Sequence, residues 1–480
     1  MKIWNLKLCF LVPFIPVTLM SPFAIADAIT EKTQRDEARK REFLHLNFSY
    51  EGLGMHISPD LVDLTQLPKP LMEKLGGAHA FHDRFGLNVD PVTGGPVGLY
   101  RENYRGISVG ALGCVACHSG KAAGRFYVGL GNKNIDVLQT GRDGLFIEKL
   151  WKKAKPDFTK STDYKKVEDA SLSFFKNISN PRQGNLTQGL VPTAMIRRWF
   201  YEIGGEKPPE GMPRAAVKVP ALYGYGEKKK VGLFCDGGGD GTNPGWAIAV
   251  ELTAGQDPEN VRKYLPKVEH AEEVISEFLP PRYPFKIDTV RADRGKQTFE
   301  RNCARCHGSY ENDAQGFPLF KAPKLVPLSI VKTDGDREAM IDEHFIEMVR
   351  KNPLADILRD SPTRNHYFAP RLHAIWARFP YLNNGSVPSL RALLTPSAKR
   401  PRAFSLRDAG EEYRFDAKNL GLTLPAAGGK AERSLLKKAQ AGTRSIYWVE
   451  RVGQSNQGHD FYTDLTVSEQ DELIEYLKTL

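Results

Sequence analysis

The pentapeptides Cys114-Val115-Ala116-Cys117-His118 and Cys303-Ala304-Arg305-Cys306-His307 both read C-x-x-C-H. That pattern is the attachment signature of c-type haem. Two thiols three positions apart can each form a thioether to a haem vinyl group, and the His that follows lies under the iron as its proximal ligand. With 6 Cys and 11 His in 480 residues, chance supplies about 0.002 such motifs per chain, so two are no accident. A four-thiolate zinc site made from both CxxC pairs would leave each trailing His unexplained. Cys114, Cys117, Cys303 and Cys306 are therefore read as the attachment points of two covalent haems. His118 and His307 are read as the iron ligands.

Covalent haem attachment takes place outside the cytoplasm, and the N-terminus agrees with export. Lys2 and Lys7 precede an apolar run from Leu8 to Met20, followed by Ala24-Ile25-Ala26 before Asp27. This reads as a signal peptide over residues 1–26. The run is too short for a membrane anchor and is broken by Pro13 and Pro16. No later stretch is apolar enough to span, so no stable membrane insertion is expected. Loss of Lys2 and Lys7 lowers the formal net charge from +10 to +8. That is a weak excess, and export argues against a nucleic-acid partner. Cys9 leaves with the signal, and Cys235 is then the one cysteine outside the haem motifs, which excludes a disulfide framework.

The expected fold is mainly α, with two cytochrome c-like domains, one haem in each, and long loops. Pro280-Pro281 is the clearest break, giving an N-terminal haem domain at 27–284 and a C-terminal one at 285–480. Helices are expected over Glu31–His45, Asp143–Lys155, Tyr164–Asn177, Ala194–Glu202 and Val268–Leu279. Glu51–Tyr104 reads as loops around the first haem, Gly106–Gly113 as a small-residue approach to Cys114, and Arg400–Gly442 as a surface excursion. No internal repeat is visible beyond the two motifs. Gly295 and Phe299 lie eight and four residues before Cys303, and Leu473, Ile474, Leu477 and Leu480 recur at helical spacing behind a capping-box pattern at Ser468-Glu469-Gln470-Asp471. These two helices resemble the first and last helices of a class I cytochrome c.

The second axial position of each iron decides between electron relay and ligand chemistry. For the second haem the candidates are Met340, Met348, His344, His366, His373 and His459. His459 leads because Gln454-Ser455-Asn456-Gln457-Gly458-His459-Asp460 is a polar, Gly-bearing loop just before the last helix. For the first haem, no His occurs between His118 and His270. Met195, Met212, an upstream His (His45, His56, His79 or His82), a Tyr or an open face remain, and the open or weakly held face leads. Asp236-Gly237-Gly238-Gly239-Asp240-Gly241 lacks the Lys-Ser/Thr of a phosphate cradle and is weak as a Ca²⁺ loop. Lys228-Lys229-Lys230 reads as a solvated turn.

The segment Phe379-Pro380-Tyr381-Leu382-Asn383-Asn384-Gly385-Ser386-Val387-Pro388-Ser389-Leu390 resembles one of the bacterial dihaem cytochrome c peroxidase superfamily. That wording and the stretch from Ser455 to Leu480 are closest to its rubber-oxygenase-like branch. The resemblance implies a C-terminal haem that relays electrons and an N-terminal haem that does chemistry, with His459 as sixth ligand of the former. Val219-Pro220-Ala221-Leu222-Tyr223-Gly224 through Phe234-Cys235-Asp236-Gly237 is similar to a block in which the family carries a Trp between the haems, and here Cys235 takes that place. The expected function is a periplasmic or secreted haem redox enzyme of peroxidase or oxygenase type. It would act at the haem on His118, with Cys235 between the haems, on a small-molecule oxidant (peroxide or O₂) and with a redox partner protein. The alternative is a non-enzymatic electron carrier with both irons six-coordinate.

Overall fold

The computed structural model describes residues 22–46, 55–57, 70, 73, 84–90, 92–104, 107–154, 157, 160–162, 165, 186–192, 201, 206–207, 209, 215–227, 258–321, 325–358, 365–408, 411–412, 414–425, 428–461 and 463–480. The Tyr164–Asn177 and Ala194–Glu202 helices fall almost wholly outside them, as do Lys228-Lys229-Lys230, Cys235 and the Asp236–Gly241 loop.

Helix dominates, and the helices that bear on the argument are α1 (Pro22–His45), α2 (Val137–Ala154), α3 (Pro258–Ser276), α4 (Thr289–Asn302) and α5 (Val467–Leu477). The crossing of α4 and α5 is made possible by Gly295. A Cβ there would stand 1.9 Å from the Glu472 carbonyl oxygen, so only glycine lets the two backbones come this close. Phe299 packs its ring 5.2 Å from that of Tyr476, with Leu473 and Ile474 buried beside it. This is the helix pair read from sequence. Its cap, however, is two residues earlier: the box is Thr466 with Glu469, each side chain bonded to the other's backbone N–H. Ser468-Glu469-Gln470-Asp471 matches the same loose pattern, but α5 has already begun there.

Strand is more frequent than expected. Met55–Ile57 (β1), Leu99–Tyr104 (β2) and Ile107–Leu112 (β3) form an antiparallel sheet in the order β1-β3-β2. The stretch before Cys114 is therefore a paired central strand rather than a loose approach. Its alternation is hidden by the small residues Gly110 and Ala111, which carry little hydrophobic signal.

Each haem motif is followed by the same arrangement, which corrects the reading that nothing repeats. After His118 comes a hairpin, Ser119–Ala122 (β4) with Arg125–Val128 (β5). Further on, Leu190-Val191-Pro192 (β6) pairs with Ala216–Lys218 (β7). After His307 comes Ser309–Asn312 (β8) with Pro318–Lys321 (β9). Then Leu325-Val326-Pro327 (β10) pairs with His366–Phe368 (β11). The registers correspond, Leu190 to Lys218 and Leu325 to Phe368. Both ladders lead into x-Pro-x-Leu, at Val219-Pro220-Ala221-Leu222 and Ala369-Pro370-Arg371-Leu372. The repeat escapes the eye in sequence because the connecting segments differ so much in length.

One apolar cluster joins residues on both sides of Pro280-Pro281, among them Val115, Phe278, Phe299 and Trp376. The fully buried Trp376 donates its indole N–H to the Pro281 carbonyl and meets Tyr127 of β5 edge-on at 5.8 Å. Arg400–Gly442 is not a surface excursion. Ala403–Ser405 pairs with Ile446–Trp448, Phe404 stacks on Tyr447 at 4.8 Å, and the Arg400 side chain is 0% exposed.

Candidate haem sites

Cys114–Cys117 and Ala304–His307 are single helical turns, and such a turn brings thiols i and i+3 to one face. None of the four cysteines is in a disulfide. Burial pushes the Cys114 and Cys303 thiols up to about 12 and Cys117 up to about 11. Among the described residues no cluster of His, Cys, Asp and Glu is arranged to hold a metal ion.

Both proximal histidines are oriented in the same way. His118 Nδ1 lies 3.0 Å from the Pro220 carbonyl, and His307 Nδ1 lies 3.0 Å from the Pro370 carbonyl. A carbonyl can only accept, so each Nδ1 carries the proton and each Nε2 keeps its lone pair for a metal. The repeated ladder explains the match. In each ladder the Pro lies two residues past the last paired residue, Lys218 or Phe368, so its carbonyl is beyond the sheet and accepts from the imidazole.

At the second motif a further imidazole faces His307. The His459 and His307 ring centroids are 6.1 Å apart, with planes at 51°. An iron held on both faces by ring nitrogens at about 2 Å separates the two centroids by about 6 Å. The spacing therefore fits a six-coordinate haem. His459 Nδ1 is buried with no hydrogen-bond partner. Burial, with His307 and Arg400 adding to it, pushes the His459 imidazole down to about 4, and burial also lowers His307. Neutral imidazole is the form that binds a metal.

The loop that carries His459 is strongly held. His459 donates its N–H to Val331 (2.7 Å) and takes φ +53°, while Gly458 takes φ +79° with its Cα too near Lys332 for any side chain. Arg400 spreads its guanidinium over the carbonyls of Asn456 (2.7 Å), Gly458 (2.8 Å) and His459 (3.3 Å). On its other side it reaches the carbonyls of Ala392, Leu393 and Thr395. Asn384 donates to the Ser455 carbonyl (2.9 Å), and Asp334 accepts from the Ser455 N–H. Arg400 had no sequence signal, because a charged residue beside a proline reads as surface. Asn384 did have one, since it sits in the quoted Tyr-Leu-Asn-Asn-Gly-Ser segment.

The other residues considered as ligands at the second motif have other places. His344 is an exposed partner of Glu206, Met340 and Met348 are buried core residues, and His366 lies on β11. His373 is buried with Nε2 3.2 Å from the Pro318 carbonyl. For the first haem, Met195, Met212, His79 and His82 lie outside the described residues. His45 is exposed at the end of α1, and His56 is placed on β1 opposite Ala111. Among the described residues no helix is long and apolar enough to cross a membrane.

Two family models match parts of the chain that carry these residues. A family model described as cytochrome C oxidase, cbb3-type, subunit III matches residues 290–353, which include Cys303 to His307. A model described as RoxA-like, cytochrome c-like matches 366–405, which include Pro370, Asn384 and Arg400. Uncharacterized protein y4iM of Sinorhizobium fredii (strain NBRC 101917 / NGR234) is 32% identical over 240 residues, 43% of this chain and 53% of that protein. Uncharacterized protein y4iJ of the same strain is 35% identical over 123 residues, 24% of this chain and 18% of that protein. The chain thus covers about half of one relative's length and under a fifth of the other's. The family matches support a c-type cytochrome, with cytochrome c-like domains that imply covalently bound haem iron and a role in electron transfer or redox chemistry.

Proposed function

We propose that the protein is an exported dihaem cytochrome acting as a redox enzyme, with peroxide- or O₂-dependent chemistry at the haem on His118 and electron relay by the haem on His307. The observation that carries this reading is the His307–His459 pair at 6.1 Å. The second motif has an imidazole for each face of its iron, whereas the first is followed by no His until His270. Such asymmetry suits division of labour: a saturated iron passes electrons, and an iron with an accessible face binds small oxidants. A c-type haem supplies one-electron chemistry and, where a face is open, reaction with peroxide or O₂.

The chain's own residues then have defined tasks. Pro220 and Pro370 fix the proton on Nδ1 of His118 and His307, so that Nε2 would be the atom to hold the iron of a bound haem. Arg400, Asn384 and Asp334 hold the His459 loop against rearrangement during electron transfer. Cys235 is assigned to the region between the haems, where a thiol carries a hole less well than an indole. The 1–26 segment is assigned to export, placing the protein in the periplasm or outside the cell with a small oxidant and a protein redox partner.

Cyanide titration of the ferric protein tests the division. One haem should bind cyanide and the other should not. Failure of both to bind would replace this reading with that of a six-coordinate electron carrier.

A further inference from the structure

A small cleft lies between the loop after the first haem motif and the Arg378–Pro380 turn. Its first wall is Asn132 and Lys133, and Asn132 is tied to that motif by its N–H to the Cys117 carbonyl (2.7 Å) and its side chain to the Ala116 carbonyl (2.9 Å). Its lining includes Lys133, Lys218 and Arg378 and contains no carboxylate. Lys133 is already engaged, with its ammonium on the Lys121 carbonyl and 3.5 Å from the Phe379 ring centroid. Lys218 and Arg378 are different.

The Lys218 ammonium donates to the carbonyls of Arg378 (2.5 Å) and Pro380 (2.7 Å). Three N–H groups are available, so one is left over. Arg378 donates through Nη1 to the carbonyls of Arg371 and His373, and its Nε and Nη2 have no partner among the described residues. Neither cation makes an ion pair there. Burial lowers both, and Arg378 lowers Lys218 further. Two like charges thus stand close together, each half-buried, with no carboxylate in the cleft lining to offset them.

The fold does not require a cation at this position. In the second copy of the ladder, the position matching Lys218 is the buried Phe368. An apolar residue completes the same strand pair in the same register. The charge at 218 therefore serves something other than the sheet.

We propose that Lys218 and Arg378 form an anion site in this cleft and that it takes a carboxylate. The nearest source is a propionate of a bound haem, since the cleft also includes Val219 and Ala221, the neighbours of the Pro220 that orients His118. In that form the proposal rests on the haem reading above. A free carboxylate from solution is the other source, and the chemistry at Lys218 and Arg378 is the same.

The test uses the haem-loaded protein and its Lys218→Met and Arg378→Gln variants, with Lys218→Arg as the charge-preserving control. Reduction potentials and thermal midpoints are measured at fixed ionic strength in chloride and in acetate. A cation beside a propionate disfavours the more positive ferric state. If a propionate occupies the site, Lys218→Met should lower one haem's reduction equilibrium constant about tenfold, which is 59 mV for one electron. Acetate should then leave the wild type unchanged. If a free carboxylate occupies the site, acetate should shift the wild type's potential and midpoint but not those of Lys218→Met. Lys218→Arg should match the wild type in either case. Folded Lys218→Met and Arg378→Gln variants with wild-type potentials and wild-type acetate response would overturn the site. Should Lys218→Met fail to fold, Arg378→Gln alone decides. Should intact mass show no haem, the haem reading falls separately, and the acetate effect on the midpoints still decides the anion site.

Discussion

Arg400 donates to the backbone carbonyl of His459 at 3.3 Å while its own side chain is wholly out of solvent. The cation therefore grips the ligand loop by its peptide groups, with the Asp460 carboxylate 3.5 Å away.

Replacing Arg400 by Leu leaves six carbonyls without this donor, in a core where each unmet group is costly. The expected loss is about 3 kcal/mol of stability, together with partial conversion of the second haem from low to high spin. Arg400→Lys should recover little of either, because one ammonium cannot reach both carbonyl groups that the planar fork spans. Denaturant titration and the optical spin-state bands report the two effects.

Gly295→Ala should cost about 3 kcal/mol. The added methyl would meet the Glu472 carbonyl oxygen at 1.9 Å, backbone against backbone, with nothing flexible to move aside. Chemical denaturation should show a lower midpoint, and Gly95→Ala, where the nearest atom is the Thr93 hydroxyl oxygen at 3.6 Å, serves as the spatial contrast.

These two predictions mark what was legible in the sequence. Gly295, Phe299 and the terminal helix follow from local spacing, because an α4-α5 crossing needs a small residue and an aromatic at fixed steps from Cys303. His459 was legible from its place in a loop before that helix. Arg400 was not, since its partners are carbonyls, which no side-chain pattern records. The ladder that aligns Pro220 with Pro370 was also hidden. Its strands are three residues long, too short for period-two alternation to be read.

His373 gives the pH dependence. Burial holds its imidazole at about 4, below the ordinary 6.5, and Glu227 at 3.7 Å is too far to offset that. The unfolded chain therefore binds the proton first. The stability contributed is complete above pH 6.5 and is lost as pH falls from 6.5 towards 4, by up to about 3 kcal/mol. The thermal midpoint of His373→Leu should fall less between pH 7 and pH 4.5 than that of the wild type. Equal falls would show that His373 is not the group that titrates.

Haem number and export are checked together by intact mass. Protein recovered from the periplasm should weigh as residues 27–480 plus two haems. Cys114→Ala with Cys117→Ala should remove one haem and leave the 6.1 Å His307–His459 site loaded.

Electron paramagnetic resonance of the ferric protein, with His459→Ala measured alongside, tests the central claim most directly. The wild type should show one low-spin haem with two imidazoles and one high-spin haem that becomes low-spin in cyanide. His459→Ala should convert the first of these to high spin. Two low-spin haems in the wild type, both indifferent to cyanide, would contradict the division between a relay haem on His307 and a reactive haem on His118.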